Sequence, residues 1–76
     1  MEARYQSEII KLGARIKSIR KKKGMSQLDL ELASGITRTE ISRIENGLKN
    51  IEFYTLIKIA TALEVELAQL FYTKAR

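Results

Sequence analysis

Apolar residues recur at helical steps along most of the chain. Ile9, Leu12, Ile16 and Ile19 fall three and four positions apart, which puts them on one face of a helix. Gly24 follows a run of lysines, as expected just past a helix end, with Lys21, Lys22 and Lys23 near the negative end of the helix dipole. The pattern predicts a first helix from about Ser7 to Lys23. Gly13 lies inside it at a cost of ~1 kcal/mol relative to alanine, and marks a place of close packing.

The next stretch, "MSQLDLELASG", alternates Leu28, Leu30 and Leu32 with Asp29 and Glu31, the period of a half-buried strand. Its flanks favour a helix instead. Ser26 followed by Asp29 is a start signal, residues 27–34 contain no β-branched side chain, and Gly35 supplies a stop suited to a left-handed turn. Thr37 with Glu40 forms a second such signal, a capping box opening a helix in which Ile41 and Ile44 share a face and which Asn46-Gly47 ends. Only Ser34, Gly35 and Ile36 separate the two, so they make a helix-turn-helix unit. A fourth helix takes in Phe53, Leu56, Ile57, Ile59, Ala60 and Leu63. A fifth takes in Leu67, Leu70 and Phe71 after a short link at 64–66. The expected fold is all-α, a compact five-helix domain over 9–76 preceded by an extension at 1–8.

Composition narrows the function classes. The chain has 76 residues, 45% hydrophobic and 30% charged, enough for one small core and no separate sensor or catalytic domain. It has no cysteine and no histidine, which removes thiolate and imidazole metal ligands and the commonest general base. An enzyme is therefore not expected, nor a cofactor, a small-molecule ligand or a membrane partner, and a cytoplasmic setting fits. Charge says more: 14 Lys and Arg face 9 acids, for a net +5. Lys11, Arg15, Lys17, Arg20, Lys21, Lys22 and Lys23 crowd one 13-residue window that holds no acid. Such a run suits either a solvated helix face or a polyanion.

Three segments, "LGARIKSIRKKKGMSQ", "SGITRTEISRIENGLKN" and "TLIKIATALEVELAQLF", appear in order. From Leu12 to Phe71 the chain resembles the lambda-repressor-like, Cro/repressor-type (Xre) helix-turn-helix family of DNA-binding proteins. The resemblance implies a five-helix fold whose third helix enters the DNA major groove, as a two-fold dimer. It also implies an ion pair between Arg20 and Glu45, which would orient the third helix. Gln27 matches the glutamine that opens the family's second helix, at the DNA backbone or an edge base. Asn46 and Lys49 match the loop that lies along phosphates.

The residues independently suit that role. With Ile41 and Ile44 turned inward, Arg38, Thr39, Ser42 and Arg43 face outward near the start of the third helix. Arginine bonds guanine in a bidentate manner, and threonine offers a methyl to thymine and a hydroxyl to a base or phosphate. These four are the expected base-edge contacts. Gln27, Thr37, Asn46, Lys49, Lys21, Lys22 and Lys23 are the expected phosphate or edge contacts.

Three departures from the family carry expectations of their own. Glu31 stands in place of a small alanine and needs solvent or a cation, with Arg43 or Arg38 the natural candidate. Ile51 replaces a common proline. Leu28 and Leu32 lie one turn apart on the outer face of the second helix, where the first eight residues, through Ala3 and Tyr5, would cover them.

A dimer interface is expected from Leu67, Leu70, Phe71 and Tyr72. Phe71 and Tyr72 are adjacent, so at about 100° per residue both cannot point into one core, and one should lie at its edge. The leading function is a sequence-specific regulator of transcription, bacterial or phage-encoded, that reads a palindromic operator in double-stranded DNA as a homodimer. The alternative is a protein-interaction module, such as an antitoxin or adaptor, on the same fold.

Overall fold

The computed structural model describes residues 1–72. They form α1 (Glu2–Lys22), α2 (Gln27–Ser34), α3 (Arg38–Glu45), α4 (Phe53–Leu63) and one 3-10 turn (Leu67–Leu70), with no strand among the described residues. The start of α1 lies at Glu2 rather than Ser7, so residues 2–8 continue the first helix. No glycine or β-branched residue interrupts this segment, Glu2 sits favourably in the first turn, and Arg4 and Glu8 pair across one turn at 3.9 Å. The apolar pattern does not reach that far, which is why periodicity alone started the helix late.

The "LDLEL" stretch is helical. The Ser26 hydroxyl accepts from the Asp29 backbone N–H (3.0 Å), and the Ser26 N–H donates to the Asp29 carboxylate (2.8 Å). At the other end Gly35 adopts φ +79°, the left-handed conformation that side chains resist. Only half of the second expected box forms. Thr37 accepts from the Glu40 N–H at 3.2 Å, but the Glu40 carboxylate turns to Lys49 instead.

The core draws on every element: Ile16, Leu30, Ile41, Ile44, Ile59, Leu63 and Leu70 are fully buried. Each contributes ~1.5–3 kcal/mol of hydrophobic stabilisation. Helix α1 packs against α3 and the 3-10 turn, while α2 packs against α3 and α4. The α1–α3 contact is close because Gly13 has no side chain. A Cβ there would lie 2.2 Å from the Ile44 carbonyl oxygen.

Four expectations need correction here. The fifth helix is a single 3-10 turn. Leu70 points into the core with none of its surface exposed, so it has nothing to offer a partner, and Leu67 is half-buried against the same core. Phe71 and Tyr72 are both exposed, at 52% and 65%, because the turn is spent before either could reach inward. Finally, Leu28 and Leu32 stay uncovered at 46% and 76%. The residues expected to shield them belong to α1, which packs on the opposite neighbour, α3.

Candidate nucleic-acid interface

Helix α3 buries Ile41, Ile44 and Glu45, and this fixes what faces outward. Arg38, Thr39 and Arg43 are exposed and Ser42 is half-buried. Gln27, at the start of α2, comes alongside: Gln27, Arg38, Thr39, Ser42 and Arg43 line one shallow depression of about 310 Å³. A second, also about 310 Å³, is lined by Thr37, Thr39, Glu40, Arg43 and Lys49. Thr39 and Arg43 belong to both, so the sequence-derived residues of α2, α3 and the following loop form one surface.

Beneath that surface lies a buried polar network. Arg20 Nε donates to Glu45 Oε2 at 2.7 Å and Nη2 to Oε1 at 3.0 Å, while Nη1 donates to the Met25 carbonyl at 2.7 Å. Their side chains are only 7% and 1% exposed. Gln27 Nε2 completes the network, donating to Glu45 Oε1 at 3.1 Å. Each nitrogen of the Arg20 guanidinium thus makes a bond within the fold, and with its side chain buried that residue is structural. Gln27 is half committed: its amide nitrogen is held by Glu45, and its carbonyl oxygen is left to meet a donor. The sequence carried no signal for this third member, because the bond joins residues 18 apart on two different helices rather than neighbours on one face.

The loop after α3 holds further surprises. Lys49 Nζ contacts Glu40 Oε2 at 3.1 Å, so its charge is shared rather than free for phosphate. Asn46 Nδ2 donates to the Ser42 carbonyl at 2.8 Å and caps α3. Glu31, expected to seek Arg43 or Arg38, makes no ion pair among the described residues, and neither arginine is paired. Both guanidinium groups are therefore available to a ligand. Lys21, Lys22 and Lys23 are exposed at the end of α1. At the opposite end of the turn, the Ser26 N–H and then its hydroxyl hold the Asp29 carboxyl below its ordinary pKa.

A short capped helix, a left-handed glycine turn and a second helix offering unpaired arginines beside a basic helix end define a helix-turn-helix DNA-binding protein. The helix-turn-helix family model (HTH_3) matches residues 16–70, and the chain belongs to this Xre, lambda-repressor-like family. Among curated relatives, the immF control region 10 kDa protein of Bacillus phage phi105 is 41% identical over 64 residues, spanning 84% of this chain and 71% of that one. The HTH-type transcriptional regulator SlrR of Bacillus subtilis is 39% identical over 61 residues, 79% of this chain, but the match spans only 40% of SlrR. Among solved structures, the restriction-modification controller C.AhdI of Aeromonas hydrophila superposes with a TM-score of 0.84 at 35% identity, covering 86% of this chain and 98% of that one. The controller C.Esp1396I, solved as a tetramer with its natural 35 base-pair operator, gives a TM-score of 0.77 at 40% identity, covering 83% of each chain.

Proposed function

We propose that this chain is a sequence-specific regulator of transcription that reads a palindromic operator in duplex DNA as a homodimer, with α3 in the major groove. The observation that carries the reading is the convergence of Gln27, Arg38, Thr39, Ser42 and Arg43 on one surface, with both arginines unpaired. In this reading Arg38, Thr39, Ser42 and Arg43 contact base edges. The carbonyl of Gln27 accepts from an edge base, while Thr37, Asn46, Lys49 and Lys21 to Lys23 contact phosphates or edge bases. Lys49 contributes less than a free lysine, since Glu40 already holds it. An acidic or apolar outer surface on α3 would have favoured a protein partner, and α3 has neither.

Phe71 and Tyr72, beside half-buried Leu67, supply the exposed apolar surface for a two-fold contact. Two copies of α3 about 34 Å apart would then meet successive faces of the major groove. Selection of bound sequences from a random duplex library tests the proposal. A palindromic consensus supports it, and recovery of unenriched sequence contradicts it.

A further inference from the structure

Lys11, Arg15, Ser18 and Lys22 follow one another at four-, three- and four-residue steps, so they lie in one stripe along α1. At 1.5 Å per residue the stripe is ~16 Å long. It borders a cleft of about 570 Å³ between α1 and the segment after α4, with Lys23 at one end and Val65 and Tyr72 across from it. That volume lies within the ~300–1,000 Å³ typical of small-ligand sites. The cleft is separate from the α2–α3 surface and shares no lining residue with it.

Four cations line this cleft, Lys11, Arg15, Lys22 and Lys23, and among the described residues no acidic side chain does. None of the four is in an ion pair among the described residues; Glu8, which lines an adjoining depression with Lys11 and Arg15, makes its one ion pair with Arg4. Four like charges beside that single acid still repel one another, and a multivalent anion would relieve that repulsion. The remaining wall is mixed: Ile19 and Val65 give an apolar face, Ser18 and Gln69 add uncharged polar groups, and the exposed ring of Tyr72 stands beside them. Phosphate oxygens match the first set of groups, and a flat heteroaromatic base matches the second.

We propose that the α1 cleft binds a nucleoside polyphosphate, its phosphates on the lysines and Arg15 and its base against Tyr72. Lys22 and Lys23 are also among the cations assigned above to DNA phosphates, and Tyr72 belongs to the patch assigned above to the homodimer contact, so an occupied cleft would withdraw the lysines from DNA and compete with the dimer for the tyrosine ring. That consequence rests on the DNA-binding reading, whereas binding of the nucleotide does not.

Calorimetric titration of the DNA-free protein with ATP and with inorganic triphosphate tests the site. Saturable ATP binding is expected, tighter than triphosphate, and weakened about tenfold or more by Arg15→Glu or Lys11→Glu. Both side chains lie outside the core, so unchanged thermal melts will show that the variants fold. Arg38→Ala, on the other surface, should leave ATP binding unaltered. ATP that fails to bind, binds no better than triphosphate, or is lost with Arg38→Ala rather than Arg15→Glu would overturn the proposal. A second arm adds random duplex: ATP should weaken its binding to wild type and not to Arg15→Glu. ATP binding with no effect on DNA would overturn the coupling while leaving the site.

Discussion

Glu45 is a carboxylate with 1% of its side chain exposed, bonded to Arg20 at two oxygens and to Gln27 at one of them. Among the described residues no buried side-chain nitrogen or oxygen lacks a partner, so the network is closed. Removing Glu45 would strand the buried Arg20 charge. Glu45→Ala should therefore destabilise the fold by ~3–5 kcal/mol, although it raises the net positive charge. A thermal melt equal to wild type would refute this. Gly13 is sensitive for a different reason. Gly13→Ala drives a methyl into the Ile44 carbonyl, and overpacking of this kind costs ~1–3 kcal/mol; a denaturant midpoint unchanged from wild type would contradict it. The Arg20–Glu45 relation was accessible only through family resemblance, since no spacing rule links residues 25 apart. The close approach at Gly13 was legible directly, because glycine in the middle of an amphipathic helix needs a reason.

At the scale of elements, caps and stops decided more than periodicity did. Alternation in "LDLEL" pointed to a strand, yet Ser26, Asp29 and Gly35 close both ends of a helix over it. Ser26→Ala should cost ~1 kcal/mol, read as a lower melting temperature. The partner carboxyl adds a pH signature. Because Asp29 titrates below its ordinary value when folded, its contribution is complete above the unfolded pKa and fades as pH falls through the folded one. Asp29→Asn should flatten that part of the acid side of a stability profile, and an unchanged acid limb would count against the cap. The two misjudged elements have physical causes as well. The start of α1 is held by local propensity and an exposed ion pair, which leave no apolar pattern. The last element is a 3-10 turn because burying Leu70 takes only one turn. Phe53 and Ile57, which the fourth helix takes in as expected, are exposed together with Tyr54, whose ring carries Lys58 at 5.0 Å.

For the whole molecule, the order of helices and the α3 surface were legible because capping residues, glycine and isoleucine spacing all pointed to the same arrangement. The cleft beside α1 was not, because charge counting grouped Lys11 and Arg15 with a general basic run and hid their common stripe with Lys22. The proposed homodimer predicts that wild type sediments as a dimer at micromolar concentration and that Phe71→Glu, charged within the exposed patch, sediments as a monomer. Identical sedimentation of the two would place the contact elsewhere. The central claim is that α3 reads bases while the end of α1 holds the backbone. Its most direct test is the affinity of wild type, Arg43→Ala and Lys22→Ala for the selected operator and for random duplex, at two salt concentrations. Arg43→Ala should lose ~1–3 kcal/mol on the operator and little on random sequence, whereas Lys22→Ala should weaken both alike and lower the salt slope by about one. Equal losses on operator and random DNA for both variants would contradict the account.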